Sequence, residues 1–547
     1  MASLSEEEKY ERNIEKINKK IDKINSKEKL SHCDLLRLDN LNQDLVCQKH
    51  LQTVLNQNPE SFRVEKAITK EKKKRYKILY GNLFTTILMI CIPLMVYQFF
   101  NSFYNLLDQI MAANIEQTAV SKIAVISQLK NSISAFGLGV AGGGAVLVAR
   151  FYGAGNIDEA RKASSNMLFI SCVVSALILV LLIPLAYPIL KIAQTPDINS
   201  NTIMYFVMCL IELVIVSINN IFIGLEKTKG NSKKILYLNI GVLLIKLILN
   251  SIFVYVIKVD NIAYLELSTI IGQSVLFIIG VSIMFSKKNL LKISIKNMIP
   301  KKVYILPIIK LSVPIFFGKF VMNLGKTVVN ALCGSFYGTA TDGLITGALG
   351  VSNNLSGLVT SPVSVYEEGQ SSIISQNIGN KNLKRTIKTF KTTCFIVLFF
   401  VVVGFILVRF VFLDQLTQLF SITKNKGTSD LSMTDLIKQI FVYDCLSIPA
   451  LGISACTLGI LYGYGKTFLS GILNGSRILI RILSLIILHS AGMNYQAAGV
   501  SMGISNLLIG LLSVLAFIIF YVDLKKKGYQ DLKLSDPEPE KIEFSLD

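Results

Sequence analysis

Long apolar blocks alternate with shorter polar segments along most of the chain. A helix needs roughly 20 apolar residues to cross the hydrocarbon core of a bilayer. Runs of sufficient length lie at residues 82–108, 119–146, 166–190, 202–225, 235–257, 262–285, 304–332, 343–374, 390–412, 434–462, 468–490 and 496–522. Lipid offers no hydrogen-bonding partner to an open backbone, so such continuous runs favour helices over strands. The pattern therefore predicts an all-α membrane protein with twelve transmembrane helices.

Residues 1–77 show a different pattern, in which polar residues dominate. Isoleucines recur there at spacings of three, four and three, typical of a coiled-coil seam; they are Ile14, Ile17, Ile21 and Ile24. A second amphipathic stretch follows, and the basic run "KEKKKRYK" then abuts the first apolar run, where it is expected to meet anionic lipid headgroups. We expect a cytoplasmic helical extension that can mediate self-association, on an otherwise monomeric protein.

Two Cys–His pairs in this extension, His32–Cys33 and Cys47–His50, raise the question of a zinc site. Adjacent His and Cys ligands are unusual, and both pairs lie in helix-like sequence. An ordinary helix is therefore the favoured interpretation, and no metal is expected. The chain has nine scattered cysteines, an odd number, which gives no indication of a disulfide framework.

The charge distribution indicates an orientation for the predicted helices. The formal net charge is +20, although only 17% of the residues are charged. With both termini in the cytoplasm, the loops on that side hold 29 Lys and Arg, and the loops on the outer side hold 4. This positive-inside bias predicts a multi-pass plasma-membrane protein. It also accounts for much of the charge without a nucleic-acid partner.

The membrane region contains an internal repeat. The segment "RFYGAGNIDEARKAS" follows the second run and "QNIGNKNLKRTIKTF" follows the eighth; aligning Gly153 with Gly379 also aligns Asn156 with Asn382. Each copy holds an even number of helices, so both have the same orientation and are related by an axis along the membrane normal. We therefore predict two six-helix lobes with a cavity between them. The predicted division is 1–77 (extension), 78–290 (first lobe), 291–303 (cytoplasmic linker), 304–527 (second lobe) and 528–547 (cytoplasmic tail).

The first run contains "YNLLDQIMAA", and the segments "LVARFYGAGN" and "GQSSIISQNIGNKN" lie at the ends of the second and eighth runs. In this order, and with the repeat, they resemble the multidrug and toxic compound extrusion (MATE) family over roughly residues 80–525. The chain departs from the family's first-helix motif at Ala113, where glycine is usual. The resemblance implies export of organic cations or other amphipathic compounds against an inward flow of protons or sodium. It also implies that Asp108 carries the coupling ion.

The first predicted membrane helix carries a polar stripe. Gln98, Asn101, Asn105 and Asp108 are three, four and three residues apart, so they share one helix face. A polar face is costly against lipid, and we expect this one to point into the first lobe. Loss of water disfavours a charged carboxylate, which suits Asp108 to bind and release a proton. A hydrogen-bond network that only holds helices together is the alternative.

The fifth predicted helix departs from the family pattern. Where the family usually has an asparagine followed one turn later by an acid, "LLIKLILNSIFVY" has Lys246 and Asn250. A lysine close to Asp108 would favour the charged carboxylate. It also argues against a sodium site, which needs several oxygen ligands. Glu212, in the middle of the fourth run, is a further polar residue expected inside this lobe.

The second lobe is predicted to be basic inside. Its candidate cavity residues are four cations, one amide and one acid: Lys319, Asn323, Lys326, Asp444, Arg477 and Arg481. Some of these can form buried ion pairs or extend to an interface. The predicted cavity is therefore not simply a cation site, because its basic stripes can also hold an anionic group.

These features predict a secondary active exporter, an antiporter that moves amphipathic, chiefly cationic, drugs or metabolites by alternating access. Protons or sodium are the expected coupling ions. The alternative on the same fold is a flippase for a lipid-linked sugar or another anionic amphiphile. A third hypothesis is a membrane scaffold or sensor with residues 1–77 as its output module. The chain has no Walker motif and no hydrolase-like residue cluster, so neither an enzyme nor an organic cofactor is expected.

Overall fold

The structure is a computed structural model, and the secondary-structure elements in the part of the chain that it describes are all helices. That part comprises residues 6–26, 32–57, 59–113, 115, 119–193, 195, 198–338, 341, 344–418 and 433–527. The predicted tail, 528–547, and the side chains of His32 and Cys33 lie outside the described residues.

The helices follow one another with short connections. In chain order they are α1 (Glu6–Asn25), α2 (His32–Gln57), α3 (Pro59–Tyr80), α4 (Leu83–Ala113), α5 (Ala119–Ala154), α6 (Ile157–Leu182), α7 (Ala186–Ile192), α8 (Ser200–Thr228), α9 (Ser232–Ser251), α10 (Ala263–Phe285), α11 (Lys302–Tyr337), α12 (Leu344–Gly379), α13 (Leu383–Ile406), α14 (Leu413–Gln418), α15 (Met433–Cys445), α16 (Ile448–Gly463), α17 (Thr467–Ser490) and α18 (Ala497–Lys526). π-helical turns extend α9 over Ile252–Ile257 and α13 over Leu407–Val411, and a 3-10 turn, Ile295–Met298, precedes α11.

Ten spans in the described part are long and apolar enough to cross a membrane, and α15 with α16 adds an eleventh if the bent pair counts as one. The pair bends by 51° where Pro449, in the first turn of α16, has no backbone N–H to continue a helix. The predicted eighth span corresponds to α12, which has 36 residues but is too polar to be among the ten. The total of twelve spans therefore stays a prediction.

The two halves of the membrane region, residues 78–290 and 304–527, pack their helices in corresponding pairs. In the first half the main pairs are α4–α9, α5–α6, α5–α8, α6–α8, α8–α10 and α9–α10. In the second half they are α11–α17, α12–α13, α12–α16, α13–α16, α16–α18 and α17–α18. This correspondence is what the repeat seen in the sequence requires.

The repeat extends to the backbone. The side chains of Asn156 and Asn382 each cap a helix by accepting from the N–H three residues further on. The residue before each cap has a positive φ, 94° at Gly155 and 54° at Lys381. An N-cap side chain satisfies one of the amides left unpaired at a helix start. The aligned positions therefore build the same turn twice.

The halves meet mainly through α5–α11, α5–α12 and α4–α12. A Cβ atom on Gly153 would lie 2.1 Å from the carbonyl oxygen of Gln376, and one on Gly379 would lie 2.0 Å from that of Arg150. Only glycine permits this approach. We call the end of the bundle that holds these two contacts the basic face, because its loops carry most of the Lys and Arg residues. The halves are closed against each other at the basic face.

The extension forms a small helical unit on the basic face. Helix α2 packs against both α1 and α3, around a core of Tyr10, Leu51 and Phe62. The predicted isoleucine seam lies on α1, where its members are half-buried. The predicted boundary between residues 77 and 78 falls inside α3, which continues almost directly into α4.

Candidate functional site

Asp108 lies on α4, in contact with a buried amide from α9. The side-chain nitrogen of Asn250 lies 2.7 Å from Asp108 Oδ1 and 2.7 Å from the hydroxyl oxygen of Tyr104. The Tyr104 hydroxyl lies 3.5 Å from the same carboxylate oxygen. Ser268 on α10 donates to the amide oxygen of Asn250. Asn250 is fully buried, so partners on two other helices hold the group that contacts Asp108.

Lys246 lies beside this group without pairing with it. Its ammonium is 4.5 Å from the centroid of the Tyr104 ring, in cation–π geometry. Within the described residues, no ion pair joins Lys246 to Asp108. Lys246 is therefore a neighbour of the site, whereas Asn250 makes the direct contact.

A second group in the first half surrounds Lys130. Its Nζ atom lies 2.5 Å from Glu212 and 2.7 Å from Glu266, and both glutamates are buried. Glu266 lies two residues before Ser268, so the start of α10 contributes to both groups. We call the combined set the first-half cluster: Tyr104, Asp108, Lys130, Glu212, Lys246, Asn250, Glu266 and Ser268.

The other members of the predicted α4 stripe are not part of this cluster. Gln98 and Asn101 are half-buried, and Asn105 is exposed. Asp108 is the one member of the stripe for which the described residues provide a hydrogen bond. The spacing of these residues predicted a polar face on this helix, but it did not show which member has partners.

The second half holds a polar cluster of different composition. Asn506 on α18 accepts hydrogen bonds from Arg477 at 2.9 Å and from Arg481 at 3.1 Å, and it donates to Asp444 at 3.0 Å. Asp444 also accepts from the hydroxyl of Ser356. Asp444, Arg481 and Asn506 are all buried. The arginines therefore reach this carboxylate through an amide rather than directly.

Lys326 on α11 lies near both arginines and Asp444. It forms no ion pair within the described residues and is half-buried. We call these groups the second-half cluster: Lys326, Ser356, Asp444, Arg477, Arg481, Ser505 and Asn506. Ser505 accepts from Arg481 at 3.1 Å. Three cations thus share one acid.

A cavity of about 80 Å³ lies between the halves, lined from α5, α8, α11, α12 and α16. Lys227 of the first half forms an ion pair with Glu368 of the second, and Lys319 lies 3.9 Å from Glu368. Glu367 is the other acid in the lining. Asn323, one turn beyond Lys319, donates instead to the backbone of Asn131 across the interface, at 2.9 Å. The residues predicted for one cavity are therefore divided among three places.

Several members of these groups were missed by sequence reasoning. Glu266 and Asn506 are single polar residues inside apolar runs, a signal that would have found them. Glu368 on α12 was among the charges expected inside the membrane, but its partner Lys227 lies at the end of α8 and was counted with a cytoplasmic loop. Only the contact between the halves shows that they pair.

A model of the MatE family matches residues 93–252 and 314–487, one stretch in each half. The chain belongs to the MatE family. It is therefore a membrane transporter and not an enzyme. No curated protein matches this MatE transporter.

Solved structures of MATE transporters share its fold. A MATE protein in complex with MaL6 is 16% identical, with a TM-score of 0.74, and the match covers 82% of this chain and 99% of that one. An outward-facing multidrug resistance MATE transporter has the same identity and TM-score, with 82% and 98% covered. A MOP superfamily transporter from Pyrococcus furiosus, described by the reverse polarity of its binding pocket, has the same identity, TM-score and coverage. At this identity the likeness shows the fold alone.

Proposed function

We propose that this MatE transporter is a secondary active exporter that moves amphipathic, chiefly cationic, organic compounds out of the cell in exchange for protons. The observation that carries the proposal is the hydrogen bond from buried Asn250 to Asp108. The amide nitrogen of an asparagine can donate to a charged carboxylate, and it can also donate to a protonated one, which keeps an oxygen that accepts. Asp108 therefore has a suitable neighbour in both of its protonation states.

The same geometry supports protons over sodium as the coupling ion. A sodium ion needs several oxygen ligands. The amide of Asn250 turns its nitrogen toward Asp108, while its oxygen is occupied by Ser268. The groups that contact the carboxylate are hydrogen-bond donors, Asn250 and Tyr104, and the nearby cation, Lys246, lies against the ring of Tyr104.

The proposed transport cycle alternates the opening of the two faces. The positive-inside rule makes the basic face cytoplasmic, in the plasma membrane, with both termini on that side. The two halves then act as lobes that separate on one face at a time, and the charged cavity between them is the path for substrate. By linkage, protonation of Asp108 must weaken substrate binding by the same factor as substrate weakens protonation.

Transport in proteoliposomes tests this proposal. Asp108→Asn should abolish efflux of a cationic dye driven by an imposed proton gradient, because it removes the titrating group. Asp444→Asn is the matched control, since it makes the same chemical change in the other half. Both proteins are first checked for folding by size-exclusion chromatography. Full proton-driven efflux by a folded Asp108→Asn protein would contradict the assignment.

A flippase or exporter for an anionic amphiphile is the second candidate. The second-half cluster favours it, because Lys326, Arg477 and Arg481 share only Asp444. A cation inside the membrane costs free energy, and a partner of opposite charge lowers that cost. An anionic headgroup in this half would supply that partner.

Charge removal separates the two candidates. Lys326 forms no ion pair within the described residues, so Lys326→Gln removes a cation without depriving any acid of a partner. If the cargo is anionic, this variant should lose transport of a lipid-linked sugar pyrophosphate and keep any efflux of a cationic dye. Lys310→Gln, at an exposed position in the first part of the same helix, is the control for loss of a cation outside both the cluster and the cavity. Unchanged transport of the anionic probe by Lys326→Gln would exclude a role for this cluster in anion binding.

A further inference from the structure

Helix α3 is anchored to the first half of the membrane region by Glu71. Its carboxylate accepts from Lys229 at 3.0 Å, from the backbone N–H of Leu290 at 2.8 Å and from Asn231 at 3.3 Å. Lys229 is fully buried. Arg75, one turn further on, donates to the carbonyl of Gly153 at 3.1 Å. Since α3 also continues into α4, it is joined to this half both covalently and through buried contacts.

The last turn of α3 also contacts the second half. The side-chain amide of Asn380 donates to the Tyr80 hydroxyl at 2.9 Å. The guanidinium of Arg385 donates to the carbonyls of Ile78 and Gly81. Carbonyls at the end of a helix lack partners within the helix, so Arg385 supplies donors that α3 needs. Arg385 of the second half therefore caps a helix that is anchored to the first, and Asn380 of the second half holds a side chain of the same helix.

These contacts surround the place where the halves touch. Gly153, whose carbonyl Arg75 holds, packs on Gln376, and Gly379 precedes Asn380 and packs on Arg150. Separation of the halves at the basic face would carry Asn380 and Arg385 away from Tyr80. Glu71 and its partners would stay together, because all of them belong to α3 or to the first half.

We propose that α3 is a latch that holds the basic face closed, and that opening requires its contacts with Asn380 and Arg385 to break. Contacts present in only one conformation shift the equilibrium toward that conformation by their own free energy. The family model begins at residue 93, so the latch lies outside the matched part of the chain. It concerns the balance between conformations and does not depend on the substrate or the coupling ion.

A pair of matched substitutions tests the latch. Tyr80→Phe removes one hydroxyl that contacts the second half. Tyr76→Phe removes the hydroxyl that donates to Asp39 at 2.5 Å, within the extension. Burial, and then the Asp39 carboxylate, raise the pKa of Tyr76, so this hydroxyl stays a donor at neutral pH. The two variants therefore lose the same chemical group at positions one turn apart, and only Tyr80→Phe removes a contact of the latch.

Cys91 is a natural reporter of opening. It is fully buried on α4, and a Cβ atom on Gly369 of α12 would lie 2.5 Å from its sulfur. A membrane-impermeant maleimide can reach it only when α4 and α12 separate. Labelling is followed in the full-length protein in inside-out and right-side-out vesicles, and mass spectrometry of peptides distinguishes Cys91 from the other cysteines.

Tyr80→Phe should raise the rate of Cys91 labelling about threefold to tenfold, which is the effect of one hydrogen bond on a conformational equilibrium. Arg385→Gln should raise it further, and Tyr76→Phe should leave it unchanged. The faster labelling should occur in inside-out vesicles; if it occurs only in right-side-out vesicles, the latch stands and the proposed orientation is wrong. A wild-type rate in Tyr80→Phe, or equal acceleration in Tyr76→Phe, would overturn the latch. Tyr80→Phe decides the question if Arg385→Gln does not fold.

Discussion

The two halves of the membrane region pack corresponding helices together but carry opposite charge balances inside. In the first-half cluster three acids meet two cations, and Lys130 lies between Glu212 and Glu266. In the second-half cluster three cations meet one acid, and the arginines reach Asp444 only through Asn506. The repeat has therefore preserved the packing of helices without preserving the polarity of what they enclose.

One cation occupies a corresponding place in both halves. Lys246 lies 16 residues after Gly230 and Arg481 lies 16 residues after Gly465, and the two glycines have φ values of 73° and 74°. Lys246 faces the ring of Tyr104, whereas Arg481 faces Asn506 and Ser505. Both halves thus have a cation at this position, and they differ mainly in the number of acids around it. The opposite charge balance of the two clusters therefore comes from their acids.

The largest expected effect comes from removing the central cation of the first half. Lys130→Met should lower the free energy of unfolding by about 3–5 kcal/mol, because it leaves two buried glutamates without their partner. Denaturation in mixed micelles measures the change. Lys246→Met is the control, since its cation–π contact is worth about 0.5–2 kcal/mol. Equal losses in the two variants would show that the buried glutamates do not need Lys130.

The second prediction compares the same substitution in the two halves. Asp444→Asn should destabilise the protein by about 1.5–3 kcal/mol, because charged hydrogen bonds from Ser356 and Asn506 are lost and three cations remain. Asp108→Asn should cost about 0.5–1.5 kcal/mol, because two neighbouring acids remain in its cluster. The same denaturation experiment measures both. A larger loss in Asp108→Asn would reverse the assignment of charge balance to the two halves.

The sequence predicts more of the fold than of the sites. The apolar runs correspond to the long helices, and the aligned residues Asn156 and Asn382 do cap equivalent helices. Both depend on periodicity and local turns, which neighbouring residues determine. The sequence singled out Asn250 as a polar residue inside the first lobe, but its contact with Asp108 was not predicted and is seen only in the structure.

The sequence could not show which charged groups become partners. Glu266 is 136 residues from Lys130, and Lys227 is 141 residues from Glu368, so these pairs depend on how distant helices pack. The docking of α3 was also not foreseen, because Glu71 and Arg75 read as members of an exposed, charged run. Their partners are backbone groups and a buried lysine that the sequence pattern does not single out.

The third prediction concerns positions where the halves should respond alike. Gly153→Ala and Gly379→Ala each place a methyl group against a carbonyl oxygen of the other half. Each should destabilise the closed basic face by about 1–3 kcal/mol, as overpacking does. Faster Cys91 labelling and a lower unfolding temperature are the readouts, with Gly241→Ala as control, because a Cβ atom there meets nothing within 4 Å. Clearly unequal effects at the two glycines would contradict the symmetry of this contact.

The smallest expected effect comes from one hydroxyl in the first half. Tyr104→Phe removes an acceptor of Asn250 and keeps the ring beneath Lys246, so it should cost about 0.5–1.5 kcal/mol. Asn250 remains held by Ser268 and still donates to Asp108. Proton-driven efflux should therefore persist. Its pH dependence should shift, because Asn250, the partner of Asp108, loses one of the two groups that orient it. Tyr337→Phe in the second half also loses one hydrogen bond, to the carbonyl of Met493, and should leave that dependence unchanged. An identical shift in both variants would show that the pH dependence does not arise at Asp108, and the contrast between the two halves would then be one of stability alone.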